Sequence, residues 1–156
     1  MKECIESRTS FIPESTSWYG RTPLWKIAVA VCGVNGCVDA RRAVEDILSD
    51  PECLKDIQAL VLAIRALGKI GDMESAKAID GLLRRGDAAH TTEFGYWCSE
   101  QTIVEDSRWK LELAGFEAMY RLGLEKPEYL KKYLSDRRGY VCRAAEQVRR
   151  RVYGTD

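Results

Sequence analysis

His90 is the only histidine in 156 residues. That scarcity nearly excludes clustered zinc sites, which draw on several Cys and His ligands. It also leaves His90 as the one ordinary candidate for proton transfer near neutral pH. The six cysteines (Cys4, Cys32, Cys37, Cys53, Cys98, Cys142) are scattered, with no Cys-x-x-Cys pair. Cys32, Cys53 and Cys142 fall inside helical apolar patterns and read as small buried thiols. No glycine loop of the phosphate-binding kind is present.

Charge of one sign is lacking too: 24 basic residues balance 24 acidic ones. A global electrostatic attraction to nucleic acid or an anionic membrane is therefore absent. The longest apolar run, Leu24 to Val34, is interrupted by Lys26 and falls far short of the ~20 residues of a membrane span. The opening Met1 to Glu6 has no apolar core of the signal-peptide type. A cytoplasmic protein that does not enter the membrane is the expectation.

What the chain does contain is helical periodicity. Residues 1–21 read as an irregular N-terminal arm with one short helix near its start. Phe11, Ile12, Trp18 and Tyr19 are expected to lie against the first helices and cap the end of a stack. Helices follow over about Pro23–Gly33, with Thr22 as cap, and Val38–Leu48. Asp50-Pro51-Glu52 predicts a capped helix from Pro51 to Leu67. Gly68 would end it, Gly71 would take positive φ, and Asp72 would cap a helix over Met73–Arg84. Later helices are predicted over Ser107–Leu122, Pro127–Leu134 and Arg138–Tyr153, the last stopped by Gly154.

The segment Ala66-Leu67-Gly68-Lys69-Ile70-Gly71-Asp72, followed by Ala76, Ala78, Ile79 and Leu82-Leu83, has a counterpart 35 residues earlier. That counterpart is Val31-Cys32-Gly33-Val34-Asn35-Gly36, followed by Ala43, Val44 and Ile47-Leu48. A shared period of this length marks stacked helical repeats. The fold class is therefore all-α, a short α-solenoid of about three antiparallel helix pairs plus a C-terminal helix. One domain spans 1–156, with two regular repeats over 22–84, an irregular insertion over 85–107, and a degenerate repeat with the final helix over 108–156.

Ala66 to Asp72, with Ala76 and Leu82-Leu83, closely resembles the HEAT-like repeat of bacterial proteins first grouped with phycobilisome lyases. Asp136 and Val141-Cys142-Arg143-Ala144-Ala145 resembles the start of that repeat's first helix. The resemblance implies a right-handed superhelical stack whose second helices line a concave surface that binds proteins or peptides. Carried onto this chain, it makes Arg41, Arg42, Glu45, Lys77, Asp80, Arg84, Lys131 and Lys132 the candidate partner-binding residues. Solvated helix faces are the plainer explanation of each one singly.

The insertion adds Phe94, Tyr96 and Trp97, with Trp109 close by, as a possible recognition cluster or a packing patch. Cys98 and His90 share the insertion, but nothing around them resembles a nucleophile site. Charge divides unevenly along the chain. Gly86 to Arg121 holds seven acids against three bases, and Leu122 to Asp156 nine bases against five acids. The basic end could meet phosphate, a partner's acids, or the acidic middle of its own chain.

The expected function is a non-catalytic scaffold or adaptor for a protein partner, with no metal and no cofactor. The alternatives are a subunit or chaperone resembling bilin lyases, and nucleic-acid binding through the basic end. Three repeats lie near the lower limit for a stable stack, which leaves pairing into a homodimer open.

Overall fold

The computed structural model describes residues 1–8, 23–88, 91–95 and 102–154. Among them the chain is mostly helical: α1 (Lys2–Ser7), α2 (Leu24–Asn35), α3 (Arg41–Ile47), α4 (Ile57–Ile70), α5 (Met73–Arg84), α6 (Arg108–Arg121), α7 (Glu128–Leu134) and α8 (Gly139–Tyr153). Two 3-10 turns, Val38–Ala40 and Cys53–Lys55, precede α3 and α4. No helix among the described residues is long and apolar enough to cross a membrane.

The region expected to be irregular contains an antiparallel hairpin. Strand β1 (Thr91–Gly95) pairs with β2 (Thr102–Asp106), with Thr91 opposite Asp106 and Gly95 opposite Thr102. The chain is thus not purely helical. Thr102, Ile103 and Val104 are β-branched and favour the extended backbone.

Helix α4 lies at the centre, packed by α2, α3, α5 and α6. Its Leu60, Ala63, Ile64 and Leu67 are wholly buried, which uses both the spacing of the apolar residues and their excess over one stripe. Helices α2, α4 and α6 lie in sequence, each against the next. A second cluster joins α6, α7 and α8 through Leu113, Phe116, Leu130, Tyr133, Val141, Ala145 and Val148. Each fully buried large side chain there contributes about 1.5–3 kcal/mol.

Several predicted boundaries move. Asp50 does cap a turn, accepting from the Glu52 and Cys53 N–H groups, but that turn is a 3-10 segment and not the start of a long helix. The chain breaks at Asp56, which caps α4 by accepting from Gln58 and Ala59 at 3.1 and 3.0 Å. The predicted helix over Val38–Leu48 likewise divides into the Val38–Ala40 turn and α3.

Gly68 does not end α4, which continues to Ile70, and Gly33 lies inside α2. Gly71 has φ −83°, so the expected left-handed turn is absent there. A Cβ at Gly71 would sit 2.5 Å from the Leu67 carbonyl oxygen, so crowding rather than positive φ demands glycine. Asp72 caps α5 as predicted, and does so in a reciprocal box with Ser75, while α5 keeps its predicted span. Gly154 closes α8 in the left-handed conformation. Thr22 and residues 9–21 of the predicted arm lie outside the described residues, while α1 packs on α2 and buries Ile5 completely.

Candidate functional site

The sequence-derived candidates on α3, α5 and α7 are largely engaged with neighbours. Arg41 pairs with Asp72, the cap of α5, and Glu45 accepts from the Ser75 hydroxyl at 2.5 Å. Asp80 receives Arg84 at 2.8 Å and the Tyr129 hydroxyl at 3.1 Å, with Lys126 at 4.0 Å. Burial and then the Asp80 carboxylate raise the Tyr129 phenol above its ordinary pKa. Lys132 lies 3.1 Å from the buried Glu112, and Lys77 meets Glu74 at 2.7 Å on its own helix. These contacts fasten α3 to α5, α5 to α7 and α7 to α6. Arg42 and Lys131 are exposed. Tyr96 and Trp97, with His90 and Cys98, lie outside the described residues.

Trp109 packs edge-on to Tyr140 on α8, with ring centroids 6.1 Å apart. Cys32 and Cys53 are buried free thiols, while Cys142 is half-buried and donates to the Leu134 carbonyl at 3.1 Å. Burial raises both Cys32 and Cys53 above the ordinary thiol range, which keeps them protonated and unreactive.

The basic C-terminal end turns onto the acidic middle of the chain. Arg151 holds Glu117 at 2.8 and 3.1 Å, and Arg138 lies 4.0 Å from Glu105 while donating to the Asp106 carbonyl at 2.7 Å. Part of the charge offset read along the sequence is therefore neutralised within the fold.

An open concavity lies across α2, α4 and α6, with the Arg151–Glu117 pair at its edge. It has a volume of about 460 Å3, and its floor is made of Gly33, Ala66, Gly68, Ala114 and Ala118. The floor is small because the helices nearly touch. A Cβ on Gly33 would fall 2.8 Å from the Ala66 Cα, and one on Gly68 would fall 2.9 Å from the Ala118 Cα. The rim carries Arg65 and Lys69 from α4, Arg121 from α6 and Arg151 from α8, against the single acid Glu117. Burial pushes the Glu117 carboxyl upward, but Arg151, Arg121 and Arg65 outweigh it and hold it below its ordinary pKa. Glu117 is thus a fixed anion that orients Arg121 and Arg151.

Beside the groove α2 presents uncovered apolar side chains. Val34 is 73% exposed and Ile27, two turns earlier on the same face, is 44% exposed. A smaller hollow of about 280 Å3 continues toward the hairpin, lined by Val61, Leu62, Thr92 and Lys110. Leu62 belongs to both, so Gln58, Val61, Leu62, Arg65 and Lys69 form one accessible strip along α4.

None of the sequence-derived partner-binding candidates among the described residues lines these hollows. The available signal was the lack of any polar face on α2 and the apolar excess of α4 at Val61 and Leu62. Comparison with family models, curated proteins and solved structures gives no match for this chain. The HEAT-like resemblance therefore rests on the residues that carry it.

Proposed function

We propose that this chain is a non-catalytic helical-repeat scaffold that binds a protein partner across the outer face of α2, α4 and α6. In this reading the three helices are the first members of HEAT-like pairs in a short solenoid. The observation that carries it is the concavity of about 460 Å3, with a small-residue floor, exposed Val34 and Ile27 beside it, and charged groups around its edge. An apolar strip bordered by polar side chains suits protein recognition. The second-helix residues Arg41, Glu45 and Asp80 serve cohesion of the stack instead, because each already meets a neighbouring helix pair. Arg42 and Lys131 remain candidates for a secondary contact.

The free thiols of Cys4, Cys32, Cys37, Cys53 and Cys142 fit a reducing compartment, and the reading places the scaffold in the cytosol. Nucleic-acid binding through the C-terminal end is disfavoured by the commitment of Arg138 to the Asp136 carboxylate and the Asp106 carbonyl. The bilin-lyase alternative predicts a spectral shift when bilin is added to the protein.

The test is recovery from native lysate with the intact chain and with Val34→Asp as bait. Val34 is too exposed for that change to disturb the core. A specific protein partner recovered by the first and lost with the second supports the reading. Failure to recover any specific partner, or equal recovery by both, overturns it.

A further inference from the structure

We infer that the occupant of the α2–α4–α6 groove is an acidic amphipathic helix of a partner protein. This rests on the scaffold reading and adds the chemistry of the ligand. Four bases, Arg65, Lys69, Arg121 and Arg151, surround the groove against one acid, in a chain whose total formal charge is zero. Glu117 is shared by Arg121 and Arg151 and offsets only one of the four charges, so the rim stays positive, with Arg65 and Lys69 its main contributors to a partner. Opposite charge is therefore the natural complement.

The shape selects a helix. The glycine and alanine floor offers no side chain larger than a methyl to obstruct a close backbone approach, and the apolar residues Val34 and Leu62 stand at its margin. The accessible strip follows α4, whose 14 residues extend about 21 Å. A partner helix of three to four turns laid there would set its apolar stripe on the floor and its carboxylates toward the cations. Nucleic acid fits less well, because among the described residues no aromatic side chain lines either hollow to stack a base.

The full chain is titrated into a labelled 15-residue helical peptide with leucines at i, i+3, i+4 and i+7 and glutamates elsewhere, read by fluorescence anisotropy. Binding is expected, weakening as salt is raised. Arg65→Glu with Lys69→Glu should weaken it by at least about tenfold, since both charges are reversed at the contact. Lys55→Glu with Arg143→Glu, of equal charge change outside the groove, should leave it unaltered. A peptide with lysine in place of glutamate should not bind, and this control needs no variant to fold.

No binding of the acidic peptide, or equal binding by the groove and control variants, overturns the inference. So does preferential binding of a labelled single-stranded oligonucleotide. Self-association in sedimentation that is abolished by Arg65→Glu with Lys69→Glu would also overturn it, by giving the groove to a second copy. If a lysate partner is lost with Val34→Asp but retained by Arg65→Glu with Lys69→Glu, the scaffold reading stands and the acidic helix falls.

Discussion

Gly33 lies so close to Ala66 that a Cβ on the glycine would come within 2.8 Å of the alanine Cα. The contact between α4 and α6 reproduces the relationship, with Gly68 set 2.9 Å by the same measure from Ala118. The glycines that define the sequence period thus mark where α2 touches α4 and α4 touches α6. Their lack of a side chain sets the interhelical distance and, with it, the depth of the groove.

Glycine to alanine within a helix ordinarily stabilises by about 0.5–1 kcal/mol. At Gly33 and Gly68 the added methyl would meet backbone, which cannot rotate away, so overpacking outweighs propensity. Gly33→Ala and Gly68→Ala are expected to destabilise by about 1–3 kcal/mol. Gly81→Ala in α5, where nothing lies within 4 Å, should stabilise by the ordinary amount. Urea unfolding of the three variants checks this. A stabilised Gly68→Ala would show that the helices are not held at this spacing.

Glu112 is 4% exposed and accepts from Arg108 at 2.7 Å and the Tyr133 hydroxyl at 2.9 Å. Burial, and then the Glu112 carboxylate, raise the Tyr133 phenol well above its usual range. Glu112→Ala would orphan both donors, at a cost of about 2–3 kcal/mol, reduced because Arg108 reaches solvent. Tyr133→Phe should cost only about 1 kcal/mol, since the carboxylate keeps its cations. Equal losses in denaturant unfolding would contradict this division.

Much of the helical core was legible because Leu60, Ile64, Leu67 and the Asp72 cap obey local rules. The role of Gly68 was not, since a glycine near the end of an apolar stripe resembles a helix stop until its neighbour is known. Asp50 and Asp56 both offer caps, and only the packing of α4 selects Asp56 as the start of the long helix. The hairpin's β-branched Thr102, Ile103 and Val104 were a usable signal, but no tight two-residue turn joins them to Thr91. The groove was hidden for another reason: its cations come from three helices, and no sequence spacing brings Arg151 beside Glu117.

Ser75 is wholly buried and serves two helices at once. Its hydroxyl accepts from the Asp72 N–H at 3.2 Å and donates to Glu45 on α3. Ser75→Ala is expected to cost about 1 kcal/mol through the lost cap and the stranded acceptor. Glu45→Gln should cost less, because its amide oxygen can still accept. Thermal unfolding of both separates the two roles. A neutral Ser75→Ala would remove the link between α3 and α5 from the account of stability.

Asp56 couples the cap of α4 to pH. Burial pushes its carboxyl upward, but Lys26 and the N–H groups of Ala59 and Gln58 outweigh that and hold the pKa below its ordinary value. A depressed folded pKa contributes stability that is complete above the unfolded value, ~4, and is lost as pH falls through the lower folded value. Asp50 and Glu117 are depressed in the same sense and add to the slope. Unfolding free energy should therefore fall steeply below about pH 4. Asp56→Asn keeps a capping oxygen but loses the charge, so it should be less stable than the parent at pH 7 and show a shallower acid slope. Asp56→Ala should cost a further ~1 kcal/mol at pH 7 through the lost cap. Parallel urea titrations at neutral and acid pH test both, and an Asp56→Asn slope as steep as the parent's would assign the acid loss to other carboxylates.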